Sequence, residues 1–384
     1  MNIVISINDL KENCTGCGAC SLACPCKCIT LSPDTEDFMF PTIDENKCIG
    51  CGKCIEKCHI KHDFESNKCF TPVGFCAWRQ DNIRLCSSSG GIFSSIIDSL
   101  CDKNTYVFGA AFSNDWKSVV HIRCNSNHYS RLRKSKYVIS QITNSLYEAK
   151  SELQKGNKVI FSGTPCQIAA LYAYLGCDYK NLITIDVLCH GVPSQKMYKK
   201  HLDFISKGRE VVLVDFRPKG NGWNARFNVA FSNGDVYNKD QMHDWYLYNY
   251  FQNTFLRRSC YHCKYSTSNH IADITLGDFW YIEKYKKEYA NEPGVGLVIC
   301  NTQKGLDCFK HLEGIHVEEV DSDYYSYIYR SRENTYNRNK RDQFFAEKKH
   351  KNTELLEKFF KAKVFAIDIL VKAKRIVKKA GRKD

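Results

Sequence analysis

The chain has 384 residues, 43% hydrophobic and 25% charged, which fits a globular protein with two or three cores and excludes a large disordered region. No apolar run approaches the roughly 18 residues of a membrane span, and the start, MNIVISINDLKENC, lacks the basic and long apolar parts of a signal peptide. Net charge is +13, but residues 358–384 hold ten Lys or Arg against two Asp, so a basic tail explains most of it and nucleic-acid binding by the body is not expected.

Cysteine dominates the composition, with 22 in all and ten of them between Cys14 and Cys58. A long chain that bunches its cysteines early reads as metal binding in a reducing compartment, not as a secreted disulfide framework. Two segments repeat one pattern. CTGCGACSLACP runs from Cys14 to Pro25 and CIGCGKCIEKCH from Cys48 to His59; both spell C-x2-C-x2-C-x3-C. Three thiolates two residues apart wrap a loop around one cubane, and the trailing fourth ligates the neighbouring cluster. Cys14, Cys17, Cys20 and Cys58 are therefore expected on one [4Fe-4S] cluster. Cys48, Cys51, Cys54 and Cys24 are expected on the other. Gly16, Gly18, Gly50 and Gly52 allow the backbone to approach closely. Zinc knots space their pairs by longer loops and fit poorly. The segment resembles the bacterial dicluster ferredoxin domain. It departs from that pattern where His59 replaces the usual proline, and where Cys26 and Cys28 crowd the first motif, either as spares or as substitutes for Cys24.

Beyond about residue 72, strands and helices alternate. YVFGAAF (106–112) and SVVHIR (118–123) read as strands, and SLYEAKSELQKG (145–156) as a helix closed by Gly156. VIFSG and LITIDVL read as buried strands, with SQKMYKKHLDFISKG as a helix. RFNVAFSNGDVYN reads as a hairpin turning at Asn233-Gly234, and GLVICNTQKGLDCFKHL as strand then helix. The fold class expected is α+β or α/β: a small ferredoxin-like domain (1–68), a mixed-sheet α/β body (72–325) and a basic helical tail (340–384).

In the body, KVIFSGTPCQIAALYAYLG places Cys166 after a strand and a tight turn, at the start of a helix. By the residues alone it is open to three roles: nucleophile, metal ligand or inert buried thiol. Cys189 ends the next strand, beside His190. Cys260 and Cys263 form a C-x2-C pair. These four thiols could meet at one sheet edge around a third cluster or a structural zinc. The Ser88-Ser89-Gly90-Gly91 loop before an apolar helix offers donors to a phosphate, or is a plain N-cap.

SSSGGIFS, SKYVIS, SGTPCQIAAL, IDVLCHGVPS, FRPKGNGW, RRSCYHC, ADITLGDFW and GVGLVICNTQKG follow one another in this order. Together they resemble the beta subunit family of coenzyme F420 hydrogenases and dehydrogenases, over roughly residues 10–320. The resemblance implies an iron-sulfur flavoprotein that passes electrons between clusters, a bound FAD and a two-electron acceptor or donor such as F420. It implies that Cys166, Cys189, Cys260 and Cys263 hold a third cluster. It implies cofactor contacts from Ser88, Ser89, Gly90, Gly91, Ser135, Lys136, Tyr137, Gly163, Thr164, Arg217 and Lys219. Trp223 is a candidate aromatic wall, and Asp273 and Asp278 flank a short strand as candidate orienting groups; no catalytic acid is named. The implied partners are a redox protein, such as a ferredoxin or an enzyme subunit, and a small-molecule hydride acceptor or donor. An alternative is an electron-transfer subunit with no substrate site of its own. A cytoplasmic location is expected. The tail from Leu355, with Phe359, Val364, Ile367, Leu370, Val371 and Val377 on one stripe, suits peripheral contact with an anionic membrane or packing on the body or a partner.

Overall fold

The computed structural model describes residues 10–62, 70–125, 127–220, 224–266, 270–290, 293–324, 326 and 338–350. Trp223 and the tail from Leu355 lie outside the described residues. Each half of the cysteine repeat opens a short helix, α1 (Ala19–Ala23) and α2 (Lys53–Glu56), from a glycine in the left-handed region, Gly18 at φ 80° and Gly52 at φ 72°. Gly18 is needed twice over. A Cβ there would also lie 2.1 Å from the Thr143 hydroxyl of the body. Between the helices, β1 (Ile29–Pro33) and β2 (Met39–Ile43) pair antiparallel.

The body contains β3 (Val73–Arg79), α3 (Ile92–Leu100), β4 (Thr105–Phe112), β5 (Val119–Cys124), α4 (Thr143–Gln154), β6 (Lys158–Gly163), α5 (Pro165–Leu175), β7 (Leu182–Val187) and α6 (Gln195–Ser206). It continues through β8 (Val211–Asp215), β9 (Arg226–Phe231), β10 (Val236–Asp240), α7 (Trp245–Phe251), β11 (Ile274–Asp278), α8 (Ile282–Tyr285), β12 (Gly296–Cys300), α9 (Gln303–Lys310) and β13 (Ile315–Val320), with α10 (Arg338–His350) beyond. One mixed sheet runs β13-β3-β12-β11-β7-β6-β4-β5. Its centre is parallel, β4 to β6 to β7 to β11, and its rims are antiparallel. The α/β reading therefore holds. A second antiparallel sheet, β10-β9-β8, adds a third strand to the hairpin expected from the sequence, which turns at Gly234, φ 88°.

Central strands read as continuous apolar runs because both faces are covered: Val159, Ile160 and Phe161 of β6 are fully buried. Helix α5 starts with a capping box between Thr164 and Gln167, has Pro165 in its first turn, and stops at Gly176 in the left-handed region. Helical spacing puts Ile168, Leu171, Tyr172 and Leu175 on one side; Ile168, Leu171 and Leu175 are buried and Tyr172 is partly buried. Ala169, Ala170 and Ala173 are buried as well, so the helix is covered almost all round. Ala19 of α1 shares its core with Ile168, Ala170 and Leu171. The dicluster unit is thus seated on the helix that carries Cys166. Each large aliphatic side chain buried there contributes about 1.5–3 kcal/mol.

Candidate iron-sulfur and cofactor site

Cys14, Cys17, Cys20 and Cys58 line one small cavity. Burial, and after it the neighbouring Cys14 and Cys58 thiols, push the Cys17 thiol up to about 12. Cys20 is raised for the same reasons, with Cys17 adding to the field. Cys17, Cys20 and Cys58, all raised by burial, thus share one low-dielectric cavity that Cys14 also lines. The Gly16 N–H donates to Cys14 Sγ at 3.4 Å, a contact that the close approach of a glycine backbone allows.

The second set is more open. Cys48 and Cys51 are exposed, and Ile49 between them is 68% exposed. Cys54 is raised by burial, and the Cys51 and Cys24 thiols add to the shift. Cys28 is buried here too, with its Sγ 3.3 Å from Cys24 Sγ. That contact and burial push Cys28 up to about 12, with Cys48 contributing.

The third set is assembled by the sheet. β6 and β7 are adjacent and parallel, with Gly163 opposite Asp186, so Cys166 and Cys189 leave the same strand edge. Cys260 and Cys263 arrive on the turn at Arg258–His262. Burial raises Cys260 strongly, and the thiols of Cys189, Cys263 and Cys166 add to it. Cys263 is pushed up to about 12 by burial and by Cys166. Cys166 itself rises to about 11, through burial and then the Cys189 thiol. That environment disfavours a free thiolate nucleophile. His190, the sequence neighbour that could serve such a nucleophile as base, has Nε2 3.2 Å from the Tyr250 carbonyl. Among the described residues, no three His, Cys, Asp or Glu side chains converge tightly enough for a single metal ion.

The segment holding Cys260 and Cys263 also grips the dicluster unit. Arg257 donates through Nε to the Cys14 carbonyl (2.7 Å) and through Nη2 to that of Met39 (2.8 Å). Arg258 pairs with Glu12 and Glu36 at 3.2 and 3.0 Å. Lys264 donates to the carbonyls of His59 and His62 at 3.1 and 2.8 Å. His59 is buried and lies 2.9 Å from both the Thr15 hydroxyl and the Tyr265 phenol. Burial first, then Lys264, drives its imidazole down to about 3, so it stays neutral. Tyr265 is raised by burial and then by the thiols of Cys166, Cys263, Cys17 and Cys58. One phenol thus feels thiols of two different sets. Sequence reading missed Arg257, Tyr265 and the role of His59. The signal was present in RRSCYHCKY, where the cations and aromatics flank the C-x2-C pair.

A cavity of about 570 Å³ adjoins the third set, within the range of cofactor sites. Its lining includes Ser88, Ser89, Gly91, Ser135, Lys136, Tyr137, Gly163, Thr164 and Arg217, together with Cys166, Cys189 and Cys260. Gly90 and Lys219 are not on the lining and act behind it. The Gly90 carbonyl accepts from the Arg79 N–H at 2.8 Å, and a Cβ on Gly90 would lie 2.2 Å from the Ala77 carbonyl oxygen. Lys219 donates to the Ser88 and Pro293 carbonyls at 3.0 and 2.7 Å; burial and then Arg217 lower it to about 8. Lys136 is turned onto the carbonyls of Leu132, Arg133 and Lys134, and burial lowers it to about 7. It shapes the strap at residues 132–136. Ser135 donates from its N–H to Ser88 Oγ at 2.8 Å. Arg217 pairs with Asp278 at 2.6 Å and lies 5.4 Å from the Trp280 ring. Burial opposes its charge, but Asp278 and Tyr137 outweigh that and raise its pKa. Tyr137 stacks on Tyr250 at 4.9 Å. Asp273 lies elsewhere, accepting from the Thr184 N–H and hydroxyl at 2.9 Å each.

Paired C-x2-C-x2-C-x3-C loops seated on a sheet edge with four more thiols define an iron-sulfur protein of the electron-transfer class. Residues 13–61 match the family described as the 4Fe-4S dicluster domain. Residues 156–323 match the C terminus of the coenzyme F420 hydrogenase/dehydrogenase beta subunit. Similarity to a 4Fe-4S dicluster domain over residues 13–61 is thus followed, in the same chain, by similarity to the C terminus of that beta subunit over residues 156–323. Among solved structures, the xenon-derivatised F420-reducing [NiFe] hydrogenase complex from Methanosarcina barkeri is similar at 17% identity and TM-score 0.46, over 69% of this chain and 89% of that one. A comparison with curated proteins returned no match. No helix among the described residues is long and apolar enough to cross a membrane.

Proposed function

We propose that the chain is an iron-sulfur flavoprotein oxidoreductase. Cys14, Cys17, Cys20 and Cys58 hold one [4Fe-4S] cluster, Cys48, Cys51, Cys54 and Cys24 the second, and Cys166, Cys189, Cys260 and Cys263 a third. A polynuclear cluster takes its thiolates on different irons, which suits sets spaced too widely for one ion. FAD occupies the 570 Å³ cavity. Bound there, the flavin supplies conversion between one-electron traffic and hydride exchange with a small molecule, F420-like or another. The exposed Cys48–Cys51 loop is where a redox partner protein, such as a ferredoxin or an enzyme subunit, meets the chain.

The protein's own work is placement. The Ser88 hydroxyl, which accepts from Ser135, keeps its own hydrogen for an anionic group, while Ser89 donates to the Val295 carbonyl; Arg217 is held rigid by Asp278, and Tyr137 backed by Tyr250 walls off water. The observation that carries this reading is the meeting of thiols from three separate stretches at one end of that cavity, beside the Cys14–Cys17 loop. The rival reading, an electron-transfer subunit with no substrate site, leaves the cavity without a role.

The test is iron, acid-labile sulfide and flavin per chain after anaerobic purification. About 12 irons with one FAD supports the proposal. About eight irons without flavin removes the third cluster and favours the electron-transfer subunit.

A further inference from the structure

Arg257 is 1% exposed, and no ion pair to a carboxylate is found for it among the described residues. The nearby carboxylates are taken by other cations. Glu12 pairs with Arg258, and Glu36 with both Arg258 and Arg341. Two of the three guanidinium nitrogens are spent on neutral carbonyls, those of Cys14 and Met39. The group lies 4.3 Å from the Phe40 ring centroid. Its remaining nitrogen, Nη1, is buried without a hydrogen-bond partner. That atom abuts the Cys14–Cys17 turn, since a Cβ on Gly16 would come within 3.0 Å of it. Arg257 also lines the cavity reached by Gly16, Cys17, Cys166 and Cys260.

A buried cation is retained only if charge and hydrogen bonds compensate it. Carbonyls and rings compensate in part and leave one donor orphaned. We propose that the missing counter-charge is the thiolate-bound cluster of Cys14, Cys17, Cys20 and Cys58, and that Arg257 sets its reduction potential. This rests on the iron-sulfur reading above. Nη1 donates to a sulfur of that cluster. When one electron enters from a reduced carrier, no bond forms or breaks and no proton moves. The cluster gains one unit of negative charge, which the fixed guanidinium stabilises. Its potential is held up, and it becomes the electron well between the exposed second cluster and the third. Outer contacts of this type tune clusters generally.

The experiment is an anaerobic redox titration of the full chain, followed by electron paramagnetic resonance, with iron counted in every sample. Wild type is compared with Arg257→Met, Arg257→Gln and Arg257→Lys. Loss of the charge in the Met and Gln variants should lower one midpoint, shifting its reduction equilibrium by about tenfold or more, or about 59 mV for one electron. Lys keeps the charge and should stay nearer wild type. Iron lost from the Gln variant but retained in the Lys variant also supports the proposal, because loading then needs the charge. Unchanged midpoints at full iron overturn the role of Arg257 alone. Iron lost equally from all three variants overturns it too, as a packing effect. Wild-type protein without the cluster of Cys14 overturns both this inference and the reading beneath it.

Discussion

The imidazole of His59 and the phenol of Tyr265 meet at 2.9 Å across 206 positions of sequence. His59 stands where the first half of the repeat has Pro25. A proline could not make this bond, so the departure from the repeat adds one more tie, beside those of Arg257, Arg258 and Lys264, between the dicluster unit and the turn bearing Cys260 and Cys263. Replacing Tyr265 by Phe keeps the ring and strands a buried imidazole nitrogen, at a cost of about 1–3 kcal/mol. The expected result is a lower denaturation midpoint, with faster amide exchange over residues 14–61. His59→Leu should behave alike and worse, because it also strands the Thr15 hydroxyl. Unchanged exchange in both variants would remove the contact from any role in docking.

Cys24 and Cys28 compete for one place. With their sulfurs 3.3 Å apart, either thiol can reach the place proposed for the trailing cysteine of the first motif. We expect Cys24→Ala and Cys28→Ala each to keep a full iron count, and the double variant to lose about four irons per chain. Loss in the Cys24 single variant alone would show that Cys28 is only a neighbour.

His121 supplies a pH signature away from the thiols. It stacks on Phe161 with ring centroids 5.0 Å apart, and Nδ1 lies 3.3 Å from Ser140 Oγ. Burial, and behind it Lys136, lower its pKa to about 3. The unfolded chain takes up this proton near the ordinary value, the folded chain only far below it. Stability is therefore full above about pH 6.5 and falls as the pH drops toward 3, by up to about 1.4 kcal/mol per pH unit. His121→Gln should remove that slope in denaturant titrations between pH 4 and 6, while the equally depressed His59 keeps its own. A slope that His121→Gln leaves intact would assign the acid sensitivity elsewhere.

The dicluster unit was legible because ligand spacing is local: the thiols of each triplet lie within one turn of chain. The α/β body was legible for a related reason, since buried parallel strands read as apolar runs, as Val159–Phe161 does. β8 escaped notice because its Val212 and Leu213 are exposed, giving it no clean alternation. The clasp escaped for a different reason. Arg257, Tyr265 and His59 act across about 200 positions, and nothing in a lone arginine says which carbonyl it will meet. Lys136 and Lys219 show the converse limit. The sequence shows two cations, but only three dimensions show their ammonium groups turned onto backbone carbonyls.

The long reach of that clasp has a consequence in time. Cys58 is translated about 200 residues before Arg257, a gap of roughly 10–40 s at ribosomal speed. Through that interval the nascent dicluster unit has neither the guanidinium nor the phenol that later close over it. α5, against which α1 packs, is also still unmade for the first half of the wait. On the iron-sulfur reading proposed above, iron has an open side to enter by, and oxygen has the same side to attack. Synthesis itself sets a shutter: the site is loadable early, sealed late, and most vulnerable while the ribosome is still working through the β-sheet.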